Sequence, residues 1–192
     1  MIVGITKNSN LEEIIKSCQR FEEQGQEKLY HLFSKTLFGI CLRYGRDYNE
    51  AEDMLQEAFI KIFRKIDKYD FSGSFPAWLS RLVSNNCIDM LRKKSNLYTI
   101  TEEKAYAIPS SMLSAMDKLN EENLLEIIQA LPIGYRTVFN MYVIEGYSHK
   151  EIADRLEINE GTSKSQLNRA RNLLQKKILE LQNEVHSKKM NG

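Results

Sequence analysis

Apolar residues recur at intervals of three and four along most of the chain, a spacing that gathers them on one side of a helix. Leu11, Ile14, Ile15, Cys18 and Phe21 form the first stripe, and Ser9 with Glu12 reads as a capping box at its start. Gln24-Gly25-Gln26 is expected to break it. The second stripe, Leu29, Leu32, Phe33, Leu37, Ile40 and Cys41, ends near Tyr44-Gly45, where glycine is a natural helix stop. Asn49 and Glu52 read as another capping box, opening the strongest stripe: Met54, Leu55, Ala58, Phe59, Ile62, Phe63 and Ile66. A polar loop from Asp67 to Gly73 carries two aromatics, Tyr69 and Phe71. Ser74 is placed to cap the next helix, whose first turn tolerates Pro76. That helix has Phe75, Trp78, Leu79, Leu82, Val83 and Leu91 on its apolar side and ends in Arg92-Lys93-Lys94. No run alternates β-branched and polar residues as a half-buried strand would, so the expected fold class is all-α.

From Ser95 to Asp117 the period disappears, and the segment contains Pro109-Ser110-Ser111. A stretch of that length without periodicity is too long for an ordinary loop inside one domain. The chain therefore divides into two helical domains, 10–94 and 118–183, joined by a linker, 95–117. The second domain is expected to hold helices over Lys118–Ala130, Gly134–Glu145, Ser148–Leu156 and Gly161–Leu181, with Pro132 and Gly146 as separators.

The last two of these form a helix-turn-helix pattern. Ile152, Ala153, Leu156 and Ile158 are the expected anchors of the first helix and turn; Leu167, Ala170, Leu173 and Leu174 anchor the second. The leading turns of that second helix are small and polar: Thr162, Ser163, Lys164, Ser165 and Gln166. Such a front has little to bury against protein. It suits a DNA major groove, where hydroxyl, amide and ammonium groups meet base edges and phosphates.

Charge sharpens this picture. The net charge is only +1. Residues 61–94, however, carry eight Lys/Arg against three Asp/Glu, and residues 161–192 carry seven against two. Two separated basic blocks in an otherwise acidic chain fit two contacts with one long polyanion. In the first block Trp78 lies beside Phe75 and Leu82, so core packing is favoured over base stacking. The polar side of its helix offers Arg81, Ser84, Asn85, Asp89, Arg92 and Lys93. An aromatic, basic surface of this kind suits single-stranded nucleic acid. Cys18, Cys41 and Cys87 are read as buried, reduced thiols. No Cys/His spacing fits a metal site, and His149-Lys150-Glu151 lacks the second histidine of a zinc protease. No nucleophile, base or metal set converges, so no catalytic residue and no cofactor is expected. With no apolar run near ~20 residues and no signal-peptide pattern, a cytoplasmic location without a membrane span is expected.

Asp53-x-x-Gln56-Glu57, then Phe75-x-x-Trp78-Leu79 and a basic helix end, resemble region 2 of bacterial sigma factors. Leu131-Pro132 through Gly161-Thr162-Ser163-Lys164-Ser165 resembles region 4. Both, in this order across a short linker, resemble the extracytoplasmic-function (ECF) group of the sigma-70 family. The resemblance implies a non-catalytic subunit that directs core RNA polymerase to promoters. It implies core-polymerase contacts at Asp53, Gln56 and Glu57, with the β′ and β subunits as partners. For the minus-ten element it implies Lys68, Tyr69, Phe71, Ser72 and Ser74 near a base pocket, and Arg81, Asn85, Arg92 and Lys93 on the following helix. For the minus-thirty-five element it implies Thr162, Lys164, Ser165, Asn168, Arg169 and Arg171. An anti-sigma protein is a further expected partner. The family often reads Gly-Thr-Val-Lys-Ser-Arg at the recognition helix; here Ser163 replaces Val and Gln166 replaces Arg. The competing reading is a stand-alone helix-turn-helix regulator with an N-terminal sensing or dimerisation domain.

Overall fold

A computed structural model describes residues 8–94 and 121–190, and all regular structure among them is helical. The expected linker, 95–117, lies outside the described residues. The chain divides into two compact units, one running to Met90 and the other from Leu91 onward, except that Leu42–Arg46 group with the second.

The first unit holds α1 (Asn8–Gln19), α2 (Glu23–Tyr44), α3 (Tyr48–Lys65), a 3-10 turn (Ile66–Lys68) and α4 (Phe75–Lys94). The expected stripes supply its core: Ile15, Cys18, Leu29, Leu37, Met54, Ile62, Leu79, Val83 and Cys87 are all sealed from solvent. All three cysteines are buried and unbridged, as their composition suggested. Burial, and then the charge of Glu22, push the Cys18 thiol up to about 11.

Two boundaries differ from expectation. The first break falls at Arg20–Glu22, and Gln24-Gly25-Gln26 lies inside α2. Phe21 is left-handed (φ 61°), and the Glu22 N–H donates to Ser17 O at 3.1 Å, closing α1 with a Schellman turn. Phe21 thus leaves the apolar stripe and is 71% exposed. Gly25 is needed for approach: a Cβ there would lie 2.3 Å from Ser17 Oγ. Because αL costs an L-residue about 1–2 kcal/mol, Phe21→Gly should stabilise the first unit by about 1 kcal/mol in thermal unfolding. The second difference is the cap of α3. Asp47, not Asn49, accepts from the Glu50 N–H at 2.9 Å, because the helix already begins at Tyr48.

The second unit holds α5 (Glu121–Gln129), α6 (Ile133–Phe139), a π turn (Asn140–Ile144), α7 (His149–Leu156) and α8 (Glu160–Met190). The third-last helix was expected to run regularly to Glu145. Its final turn is instead widened, with the Glu145 N–H donating five residues back to Asn140 O at 3.0 Å. Gly146, at φ 77°, ends it. Ser148 then caps α7 in a full capping box with Glu151. Ser148→Ala should cost about 1 kcal/mol and lower the second unit's melting temperature by several degrees. Glu157, left-handed at φ 56°, makes the tight turn into α8, and Asn159 Oδ1 accepts from the Thr162 N–H at 2.6 Å. Ile152, Ala153, Leu156, Leu167, Ala170 and Leu174 pack between the two helices. Leu173, expected among them, is 42% exposed: it lies a third of a turn off the buried row of Leu167, Ala170 and Leu174.

Candidate nucleic-acid interface

On α3, Asp53, Gln56 and Glu57 are all exposed. Their spacing of three and four puts them on one face, while Met54, Leu55 and Ala58 face the core behind them. Ile60, one turn further on, is 44% exposed and adds an apolar edge to this polar face.

The loop between the 3-10 turn and α4 is built on an aromatic cluster. Tyr69 lies 4.9 Å from Phe75, 5.6 Å from Trp78 and 5.2 Å from Phe71, centroid to centroid, and Phe75 stacks on Trp78 at 5.7 Å. Tyr69, grouped in sequence with the residues near a base pocket, is therefore a buried support, and its hydroxyl donates to Gly73 O. Burial and the adjacent Asp70 carboxylate raise that hydroxyl above the usual tyrosine range. Phe71 (φ 63°), Lys68, Ser72 and Ser74 stand exposed along the loop. Asp70 Oδ1 accepts from the Ser72 hydroxyl at 2.6 Å and the Ser72 N–H at 3.0 Å, which holds the Asp70 carboxyl below its ordinary value. Trp78 is half-buried against Phe75, in keeping with a packing role.

Sequence reading missed the outside support of this loop. Gln19 Nε2 donates to Ile66 O at 2.9 Å and to Tyr69 O at 3.0 Å, and Lys16 lies 5.8 Å over the Phe71 ring. The hydrogen bonds span 47 and 50 positions, a separation that leaves no periodic signal in the chain.

Along α4, Arg81, Arg92 and Lys93 are exposed and Asn85 is partly so. Asp89 is paired with Lys61 across to α3 at 3.5 Å. Ser84, expected on the polar side, is 2% exposed: it sits beside Val83 and three positions before Cys87, on the core-facing arc.

In the helix-turn-helix, Lys164 is exposed, and Thr162, Ser165, Asn168, Arg169 and Arg171 are partly exposed along α8. Ser163 and Gln166, assigned to the polar front by composition, point inward at 0% and 2% exposure. They share a helical row with Leu167, Ala170 and Leu174, so periodicity overrides polarity. The two departures from the family pattern therefore fall in the packing layer. Arg169 donates to the Tyr135 hydroxyl at 3.1 Å with its guanidinium over that ring, and Arg171 lies 5.8 Å over Tyr142. Both cations are thus held by aromatic rings from outside α8.

Among the described residues no cluster of three or more His, Cys, Asp or Glu could hold a metal ion. No helix among them is long and apolar enough to cross a membrane.

Residues 29–96 match the family model for Sigma-70 region 2, and residues 121–174 match that for Sigma-70, region 4. The ECF RNA polymerase sigma factor SigW of Bacillus subtilis is 31% identical over 179 residues, covering 87% of this chain and 96% of that protein. The RNA polymerase sigma-H factor of Pseudomonas aeruginosa is 25% identical, covering 91% of this chain and 96% of that one. A solved structure, the sigma factor RpoE in complex with the anti-sigma factor NepR from Bartonella quintana, is 21% identical, with a TM-score of 0.48, covering 79% of this chain and 95% of that one.

Proposed function

This chain belongs to the ECF group of the sigma-70 family and is an RNA polymerase sigma factor, and we propose that its exposed residues divide into one protein-facing and two DNA-facing surfaces. Its partners are core RNA polymerase and promoter DNA, and it catalyses no reaction itself. Asp53, Gln56 and Glu57 on α3 are the proposed core-polymerase contact. Lys68, Phe71, Ser72 and Ser74 line the proposed pocket for an extruded minus-ten base, with Tyr69 as its support; Arg81, Asn85, Arg92 and Lys93 follow the strand along α4. Thr162, Lys164, Ser165, Asn168, Arg169 and Arg171 are the proposed minus-thirty-five contacts.

The observation that carries this division is the α3 face. Two acidic residues and an amide stand together in solvent on a helix whose other side is sealed, a surface suited to a protein and repelled by DNA phosphate. The α8 surface has the opposite sign. Binding at both DNA surfaces holds the promoter in register, and capture of an extruded base offsets an unstacking cost of a few kcal/mol. A cytoplasmic location, where the polymerase acts, belongs to the same proposal. The anti-sigma protein expected from the sequence belongs to the same proposal.

Run-off transcription with core polymerase and a pool of upstream genomic fragments tests the reading. Specific starts that appear only when the chain is added are the expected result. Tight duplex binding by the chain alone, with no core binding and no initiation, would reject it in favour of the stand-alone regulator, which the region 2 match does not favour.

A further inference from the structure

His149 opens α7, and its ring is fixed on two sides. It stacks on Tyr142 at 4.5 Å with 23° between the planes. Its Nδ1 lies 2.9 Å from Ser163 Oγ, the buried hydroxyl on α8 that stands where the family often has valine. The ring remains partly exposed. The charged groups of α8 that act on it are Lys164, Arg171 and Glu160; the π turn contributes Tyr142, which carries no charge at neutral pH. Glu160 is engaged with Lys164 at 3.5 Å, and Arg171 lies over the same Tyr142 ring. A partly exposed imidazole is therefore held beside two cations of α8, Lys164 and Arg171, both among the proposed upstream DNA contacts, with the Glu160 carboxylate paired to the first of them.

The geometry points to His149 as a further promoter-binding residue, a clamp for one backbone phosphate of the upstream duplex, closed by taking up a proton as DNA binds. This rests on the assignment of α8 to the minus-thirty-five element. With Nδ1 committed to Ser163, the other ring nitrogen, Nε2, is the atom left to donate. In the free chain, burial first, and then Lys164 and Arg171, hold His149 below the usual histidine value, which favours the uncharged ring. A phosphate reverses the local field and favours the imidazolium. The direction follows from linkage: binding takes up a proton, so affinity rises as pH falls below the bound-state value and levels off below the free-state one. Each unit by which DNA raises the histidine value adds about ten-fold to affinity at acidic pH.

The test uses holoenzyme reconstituted with the full chain on the promoter found by run-off transcription. Affinity is measured at pH 6 and pH 8 for wild type and His149→Asn, which keeps a polar atom near Nδ1 and removes Nε2. The wild-type advantage should grow by roughly three- to ten-fold from pH 8 to pH 6. At pH 6 the variant's log–log salt dependence should be shallower by about 0.9, the loss of one phosphate contact. Should the variant fold poorly, NMR titration of the His149 ring in the wild-type chain, with and without a saturating excess of a 20-base-pair duplex carrying that promoter's upstream element, its binding checked by the backbone shifts of α8, reads the same coupling as an upward shift. Equal pH profiles and equal salt slopes, or a ring titration unmoved by duplex, overturn the clamp. Failure of the wild-type holoenzyme to bind or initiate overturns the sigma reading itself, and the clamp with it.

Discussion

Asp53→Ala/Gln56→Ala lowers run-off transcription by about thirty-fold when core polymerase and chain are limiting. Central polar residues of a protein interface commonly cost more than 1 kcal/mol each when truncated, and every 1.4 kcal/mol is ten-fold in affinity. Two such losses on one helix face give the stated effect. The fold should not register the change, because both side chains are exposed and no core contact is lost. Far-ultraviolet circular dichroism and melting temperature should therefore match wild type. The defect is one of affinity, so excess variant should restore initiation at the same start sites. Unchanged transcription under limiting conditions would mean that polymerase meets another face of the chain. Transcription lost at every concentration would point to a step after assembly.

The α3 face was legible because three facts coincide in adjacent residues. Met54, Leu55 and Ala58 announce the buried side by period, Asp53, Gln56 and Glu57 occupy the gaps, and no proline or glycine interrupts them. The same logic placed the helix-turn-helix and most of its anchors. It failed where residue type and helical position disagree. Ser163 and Gln166 look like a DNA-facing front by composition, yet their positions lie in the row of Leu167 and Ala170, and the row decides. Gly25 misled in the other direction. Glycine usually punctuates, but here its missing Cβ lets α2 pass Ser17 of α1, and the turn is made by Phe21 with a left-handed backbone. Contacts between distant positions were beyond reach altogether. Neither Gln19 against the loop before α4 nor His149 against Ser163 carries a local pattern; each is defined by the partner that folding brings to it.

Phe75→Ala should cost the first unit about 3–5 kcal/mol, a large share of the 5–15 kcal/mol that holds a typical domain together. The ring is 3% exposed at the first position of α4. It meets Phe33 edge-on at 5.8 Å, Tyr69 at 4.9 Å and the face of Trp78 at 5.7 Å. Its removal leaves a cavity under Tyr69, the residue to whose carbonyl Gln19 donates and whose hydroxyl holds Gly73. The loop between the 3-10 turn and α4, the proposed minus-ten pocket, therefore loses its floor as well as stability. The melting transition of the first unit should fall by more than 10 °C. Permanganate reactivity of unpaired promoter thymines should drop even at temperatures where the variant remains folded. Phe75→Leu keeps much of the apolar volume and should cost less than about 2 kcal/mol, but it cannot restore the edge-to-face contacts with Tyr69. Those contacts are worth about 0.5–1.5 kcal/mol per pair beyond burial, so a leucine variant that melts close to wild type yet opens promoters poorly would separate the two roles of the ring. An alanine variant that melts and opens promoters like wild type would show that the loop is held from elsewhere, with Gln19 and the Asp70–Ser72 turn as the remaining supports.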